Sequence, residues 1–246
     1  MSARAGVDER PSPDAMTLVE HLAELRHRLL FCAVGFVAGA IATYALYTPL
    51  LHFLTGPLYR ASHNRQLFVT GPLEAFGVRL DVSAYGGAVL ALPVIVYELW
   101  RFVTPGLKAG ERRFALPFVF STIVLFCGGG AIAWITFPHA LGFLHAAGGG
   151  DITDLFTPQR YLTLLGALVL IFGLSFEFPV VLVALQLARV ITPAMLRKWR
   201  RIAIVLIVVT AGVITPSSDP FSMLALAVPM LVFYEGSILI GRFLRR

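Results

Sequence analysis

The stretch YLTLLGALVLIFGLSFEFPVVLVALQLA, residues 161–188, decides the fold class of this chain. Glu177 is the one charged residue in it, and all other positions are apolar, small or uncharged. About 20 apolar residues in helical form cross the roughly 30 Å hydrocarbon core of a bilayer. The stretch therefore predicts a membrane-spanning helix, and the carboxyl group of Glu177 inside it needs a physical reason.

The composition of the whole chain also indicates a membrane protein. Of its 246 residues, 57% are hydrophobic and 14% are charged, whereas a soluble domain is about half apolar and a quarter charged. The basic residues behind the net charge of +6 fall in short clusters between apolar runs, so we expect no nucleic-acid partner. Residues 1–16 are polar and lack a cleavable signal pattern, and we expect a flexible N-terminal tail there.

Charged residues divide the chain into apolar segments that predict an all-α integral membrane protein with six transmembrane helices. We expect one membrane domain over residues 1–246, with spans at roughly 26–50, 74–101, 113–138, 159–189, 199–215 and 220–241. A proline removes a backbone hydrogen bond and favours a bend, which membrane helices tolerate. Several bent helices and a cupped, concave scaffold are therefore predicted from the prolines inside the spans, namely Pro93, Pro117, Pro179 and Pro229.

The fifth and sixth spans are predicted to be short. Thr215 followed by Pro216 should end the fifth helix, and Asp219 followed by Pro220 is typical of an N-cap with proline at the first helical position. The apolar segment at residues 202–214 rises only about 20 Å as a helix. We therefore expect this hairpin to thin the bilayer or to be shielded by partners.

Lysines and arginines predict the orientation of the chain. Basic clusters precede the first span, follow the second and the fourth, and end the chain, whereas Arg60, Arg65, Arg79 and Arg160 fall on or near the other side. Positive charge is retained on the cytoplasmic side of membrane proteins. We therefore expect a multi-pass protein of the cell inner membrane with both termini in the cytoplasm.

Signatures of catalysis and metal binding are absent from the sequence. It has no His-Glu-x-x-His, Gly-x-Ser-x-Gly, Walker or Cys-x-x-Cys motif, and Cys32 and Cys127 are isolated within apolar runs. We therefore predict no catalytic residue, no metal site and no cofactor, and a binding or scaffold protein instead of an enzyme.

The N-terminal stretch TLVEHLAELRHRLL, residues 17–30, predicts a helix that begins before the first span. Thr17 and Glu20 match a capping box, and Glu24 and Arg28 lie one turn apart on the same face. Two interpretations stay open: an interfacial helix with a surface salt bridge, or a carboxylate of Glu24 that is offered to a basic ligand. Glu111, in the predicted loop after the second span, allows the same two interpretations.

Glu177 raises a similar question inside the membrane. A charge at mid-membrane depth costs about 2.5 to 3.5 kcal/mol on insertion scales, and such residues usually face a cavity or a partner. A protonated, hydrogen-bonded carboxyl group or a side chain that reaches the cytoplasmic edge would also fit the pattern. The residues alone leave these interpretations of Glu177 open.

Several of these stretches, in the same order along the chain, resemble the TatC family, the multispanning receptor subunit of the twin-arginine protein translocase. They are HLAELRHRL from His21, GPLEAF from Gly71, LPVIVYELWRFVTPGLKAGERR from Leu92, FGLSFEFP from Phe172, TPSSDPFS from Thr215 and VPMLVFYE from Val228. The resemblance covers nearly the whole chain. It implies a receptor that binds twin-arginine signal peptides of folded proteins at the cytoplasmic face. It also implies recruitment of TatA- and TatB-type single-span subunits into a multimeric complex in the lipid bilayer, for export driven by the proton-motive force.

The resemblance implies a signal-peptide site in the first two cytoplasmic segments. Glu24 and Glu111 match the family positions that recognise the signal peptide, and Arg26, Leu29 and Phe102 are assigned to the same site. Arginine forms bidentate, charge-assisted pairs with carboxylates. Two acids on one cytoplasmic surface could therefore bind the two arginines of the signal.

A second set of residues is implied to contact partner chains. Glu177 matches an intramembrane glutamate of the family that faces out from the concave side, where it would meet a polar group of a partner helix or of the inserted signal peptide. Thr215 and Asp219 match the polar residues of the partner-docking hairpin. This chain departs from the family at Met223, where glutamine is common.

A proton-coupled transporter of small solutes, in which Glu177 titrates, is the alternative from another functional class. Such transporters usually combine broken helices at the midplane with internal symmetry. The sequence has several prolines inside its spans but no internal repeat, which favours the translocase hypothesis.

Overall fold

The computed structural model describes residues 18–61, 68–69, 71–103, 115–148, 157–217 and 219–243. These residues form eight α-helices and no β-strand, which confirms the all-α fold. In chain order the helices are α1 (Leu18–Ala45), α2 (Tyr47–Ala61), α3 (Pro72–Val103), α4 (Ala115–Ala147), α5 (Pro158–Phe176), α6 (Phe178–Leu187), α7 (Pro193–Ile214) and α8 (Pro220–Phe243). The predicted tail at residues 1–16 and Thr17, the first residue of the predicted capping box, lie outside the described part.

Five helical stretches of the described part are long and apolar enough to cross a membrane. They are Leu22–Ala45, Pro72–Phe102, Leu116–Ala147, Pro158–Leu187 and Pro220–Phe243. These stretches overlap the first four predicted spans and the sixth, and the chain is a multi-pass membrane protein.

The two last helices differ in how well they match their predicted spans. The predicted span at residues 199–215 lies in α7, whose first turns carry Arg197, Lys198, Arg200 and Arg201. Only the rest of α7 is apolar, and the count of six spans stays a prediction. α8 is 24 residues long, and it ends two residues beyond the predicted span at 220–241.

The fourth span is broken at Glu177, between the end of α5 and the start of α6. Pro179 has no backbone N–H, so one regular bond to the preceding turn is missing there. The Glu177 N–H instead bonds to the Leu174 carbonyl oxygen at 3.1 Å, which is the closer spacing of a tight turn. The disruption predicted at Pro179 is therefore confirmed.

The other predicted bends have different outcomes. Pro93 lies inside α3 and Pro229 inside α8, and neither helix is interrupted. Pro117 lies close to the first described residue of α4. The bend predicted there and the cupped shape stay predictions.

Helix α2 was not predicted, and most of its residues lie between the predicted spans at 26–50 and 74–101. Leu50, Leu54 and Leu58 recur at helical spacing, and Leu58 is fully buried. The Tyr161 hydroxyl of α5 donates a 2.9 Å hydrogen bond to the Leu54 carbonyl oxygen. α2 also contacts α3 and α4. The leucine spacing is the sequence pattern that could have revealed this helix.

Glycines bring α1 close to α3. A Cβ atom added to Gly39 would lie 2.8 Å from the Gly87 carbonyl oxygen, and one added to Gly86 would overlap the side chain of Thr43. The Thr43 hydroxyl lies 3.3 Å from the Ser83 carbonyl oxygen of α3. Membrane helices associate through such close backbone approach at small residues, so this interface fixes α1 on α3.

The helices form a row with α1 and α7 at its ends. α1 packs mainly against α3, α3 against α5, and α5 against α4, while α4 and α6 contact α8 and α8 carries α7. The buried core runs through the middle of the row and includes Phe137, Leu165, Phe172 and Leu226. Many large apolar side chains of the outer helices are exposed, as expected where a helix faces lipid.

Candidate functional site

A charged cluster joins the beginning of α1 to the end of α3. The Arg28 guanidinium lies between two carboxylates: its Nε is 3.1 Å from Glu24 Oε1, and its Nη1 is 3.1 Å from Glu98 Oε2. The side chains of Arg28, Glu24 and Glu98 are 13%, 21% and 11% exposed. We call these three residues the carboxylate cluster.

The local sequence explains two of its three members. Glu24 and Arg28 are one helical turn apart and form the ion pair that one of the two open interpretations expected. Glu98 comes from α3 and was not among the predicted site residues. The signal that could have revealed it is the antiparallel packing of α1 and α3, which places the start of one helix beside the end of the other.

The remaining residues predicted to bind the signal peptide are spread around this cluster. Arg26 is exposed on α1, and Leu29 is 66% exposed. Phe102 is half-buried near the end of α3, where the Trp100 ring stacks on Phe118 of α4 with ring centroids 4.6 Å apart. The structure therefore brings the α1 residues and Phe102 to the same end of the molecule. Glu111 lies outside the described residues.

Glu177 lies at the break between α5 and α6 and is half-buried. Its carboxyl group lies close to Thr122, a buried residue of α4. Its Oε1 atom is buried and has no hydrogen-bond partner. The carboxyl group is therefore only partly satisfied within the described protein.

An apolar cavity of about 730 Å³ adjoins this break. It lies between α4, α6 and α8, and its lining includes Phe176 and Pro179, which flank Glu177 on both sides in the sequence. Phe118 of α4 and Phe233 of α8 also line it. Glu177 thus lies where the helix is interrupted, as Pro179 indicated, and beside an apolar cavity whose lining the sequence did not identify.

The α7–α8 hairpin holds a second polar group, which we call the hairpin cluster: Thr215, Ser217, Asp219 and Ser222. Asp219 is 1% exposed, and its Oδ1 accepts a 2.7 Å hydrogen bond from the Ser222 N–H. The Ser217 hydroxyl donates to the other carboxylate oxygen. The predicted N-cap of α8 is therefore confirmed.

Thr215 and Met223 also contribute to the hairpin itself. Thr215 is 2% exposed, and its hydroxyl donates a 2.8 Å hydrogen bond to the Ala211 carbonyl oxygen. Met223 is half-buried, and its Sδ packs on Gly212 of α7. These side chains build the turn, and their contact with a partner chain stays a prediction.

Comparison with known proteins gives the chain its family. Residues 20–229 match the family model described as Sec-independent protein translocase protein (TatC). The chain belongs to the TatC family. This confirms the resemblance seen in the sequence motifs.

Similar TatC proteins come from bacteria and from a plant. The Sec-independent protein translocase protein TatC of Frankia casuarinae is 39% identical, over 92% of this chain and 65% of its own length. The Aquifex aeolicus TatC is 34% identical, over 94% of this chain and 97% of its own length. The chloroplastic protein of Arabidopsis thaliana is 36% identical, over 93% of this chain and 67% of its own length. The chain thus spans less than two thirds of the Frankia protein and nearly all of the Aquifex one.

Two solved TatC structures share the fold. One crystal structure of the twin arginine translocase receptor TatC is 34% identical and superposes with a TM-score of 0.75, covering 92% of this chain and 100% of that one. A second, in DDM, gives a TM-score of 0.77 at 34% identity, with 90% and 99% covered. TatC relatives are named as translocase subunits, which are transport components and not enzymes. The comparison gives no support to the solute-transporter alternative.

Proposed function

We propose that this chain is the receptor and core subunit of a twin-arginine translocase. In this proposal it lies in the cell inner membrane with both termini in the cytoplasm, and it binds twin-arginine signal peptides of folded proteins at its cytoplasmic face. Membership of the TatC family and the likeness to solved twin arginine translocase receptors support it. The observation that carries it is the carboxylate cluster, where α1 and α3 already surround a guanidinium group with two carboxylates.

The chemistry of this cluster suits an arginine-bearing ligand. A guanidinium presents a planar fork of N–H donors that matches a carboxylate, and the paired hydrogen bonds are stronger than those between neutral groups. Glu24 is the more exposed of the two carboxylates. We therefore assign it to one arginine of the signal, and we assign Glu111 to the other.

Apolar residues beside the cluster suit the rest of the ligand. Signal peptides follow their charged region with an apolar segment. Leu29 is 66% exposed one turn beyond Glu24 on α1, and Phe102 lies at the facing end of α3. We infer that these two side chains contact the apolar segment, while Arg26 contributes to the polar edge of the site.

The opposite end of the row is the proposed docking surface for TatA- and TatB-type single-span subunits. α7 packs mainly against α8, which leaves Val205, Val209 and Val213 exposed at 61%, 55% and 80%. The hairpin cluster fixes the turn between these two helices. We propose Glu177, beside the cavity between α4, α6 and α8, as a separate contact for a partner helix. The assembled complex would use the proton-motive force for export.

Binding of a fluorescent twin-arginine peptide to the purified protein in lipid vesicles tests the proposal. We expect saturable binding that falls by about tenfold in Glu24→Gln, because one charge-assisted pair is lost. Glu235→Gln is the matched control, since Glu235 is a carboxylate on α8 that is 45% exposed and pairs with Arg200. Equal affinity of Glu24→Gln and wild type would contradict the assignment of Glu24.

A further inference from the structure

The two carboxylates of the carboxylate cluster are already bound to an arginine of the chain itself. Arg28 contacts Glu24 within α1 and Glu98 across the α1–α3 interface, and its side chain is only 13% exposed. Its guanidinium therefore has the partners and the seclusion that a bound arginine ligand would have. An arginine from outside would meet Glu24 while Arg28 is already bound to it.

The closest contacts between α1 and α3 lie away from Arg28. The close approach of the two helices is set farther along α1, where Gly39 faces Gly87 and Thr43 faces Gly86. Partly exposed ion pairs contribute little to stability. A purely structural role would therefore leave unexplained why a guanidinium is shared by two carboxylates at this end of the interface.

The two carboxylates differ in a way that permits exchange. Glu24 is 21% exposed and can turn towards a ligand, whereas Glu98 is 11% exposed and faces α1 from within the interface. If Glu24 released Arg28, the guanidinium would still be paired with Glu98. No buried charge would then be left without a partner, which is the condition that makes such an exchange inexpensive in free energy.

We propose that Arg28 is a built-in competitor of the arginine-bearing ligand, and that Glu98 is the positioning residue that retains Arg28 when Glu24 turns to the ligand. The inference rests on the proposed function, since it concerns the regulation of the same site. Binding then exchanges one ion pair for another instead of filling an empty site. The chain thereby discriminates against ligands whose single weak cation cannot displace Arg28 from Glu24.

The test is the affinity of a twin-arginine peptide for full-length protein in vesicles, measured for a set of variants. Arg28→Gln should bind about fivefold more tightly than wild type, because Arg28 no longer competes with the ligand for Glu24. Glu98→Gln should bind about fivefold more weakly, because Arg28 then depends on Glu24 alone. Arg197→Gln removes the same charge from the exposed start of α7, and its affinity should not change.

The double variant Arg28→Gln with Glu98→Gln provides a second test if a single variant fails to fold, because it removes both charges of the pair between α1 and α3 together. It should bind at least as tightly as wild type. Binding as weak as in Glu98→Gln, or weaker binding by a folded Arg28→Gln, would overturn the competitor role.

Two further outcomes separate this inference from the function on which it rests. If Glu24→Gln loses binding while Arg28→Gln binds like wild type, the receptor site stands and the competitor role is overturned. If Glu24→Gln binds like wild type, both are overturned. A twin-lysine peptide should bind more weakly than the twin-arginine peptide to wild type, and Arg28→Gln should reduce that difference.

Discussion

The carboxylate cluster and the hairpin cluster place acidic side chains in two different kinds of surroundings. In the hairpin, Asp219 is 1% exposed and its two oxygens accept bonds from the Ser222 N–H and the Ser217 hydroxyl. In the carboxylate cluster, Glu24 is 21% exposed and shares a long, flexible arginine with Glu98. A carboxylate that accepts a bond from the backbone of its own turn fixes that turn. A carboxylate held by a flexible side chain can exchange partners.

Asp219→Ala should give the largest effect on stability. The change removes an N-cap and leaves the Ser222 N–H and the Ser217 hydroxyl without their acceptor in a buried place, so we expect a loss of about 2 kcal/mol. Thermal unfolding in detergent measures it. Ser217→Ala is the control and should cost less, because the N-cap bond remains. A loss below that of Ser217→Ala would show that the hairpin does not depend on this carboxylate.

Glu24→Gln should lower stability by less than about 1 kcal/mol, because the pair it breaks is partly exposed and Arg28 keeps Glu98. The same variant should lose signal-peptide binding, so its effects on stability and on function separate. Unfolding under the conditions used for Asp219→Ala gives the direct comparison. A loss of stability as large as that of Asp219→Ala would show that Glu24, like Asp219, mainly stabilises the fold.

Arg189→Gly separates backbone strain from the effects of carboxylates. Arg189 follows α6 with a φ of 60°, a left-handed conformation that favours glycine at a helix end. We expect a gain of about 0.5 kcal/mol. Ala188→Gly is the control, because its φ is −65° and glycine there should destabilise the protein. An equal change in both variants would contradict the strain at Arg189.

Glu177→Gln should change stability least, by less than about 0.5 kcal/mol. Glutamine has the same shape and keeps an oxygen close to Thr122, while the site already tolerates one buried oxygen without a partner. Co-purification with a TatA- or TatB-type subunit measures the proposed second effect, a weaker association. Unchanged association would remove Glu177 from the proposed partner contacts, and a large loss of stability would make it a structural residue.

Apolar patterns predicted more of this molecule than charge patterns did. Long apolar runs were enough to predict the five stretches that are long enough to cross a membrane. The N-cap at Asp219 and the disruption at Pro179 follow from local rules that hold in any context. Helix α2 was missed because only runs long enough to span a membrane were sought, and the leucine spacing between the first two predicted spans was not used. Glu98 could not be assigned, because its partner lies on another helix and only the glycine interface of α1 and α3 brings them together.

The central claim is that a twin-arginine signal binds where α1 begins and α3 ends. A photo-crosslinking residue in place of Leu29, which is 66% exposed there, measures this directly in vesicles; the matched control replaces Leu73, which is 85% exposed at the other end of α3. We expect a crosslink to a twin-arginine peptide at position 29 that is lost on adding Glu24→Gln, and none at position 73. Equal crosslinking at both positions, or crosslinking at position 29 that is unaffected by Glu24→Gln, would contradict the account.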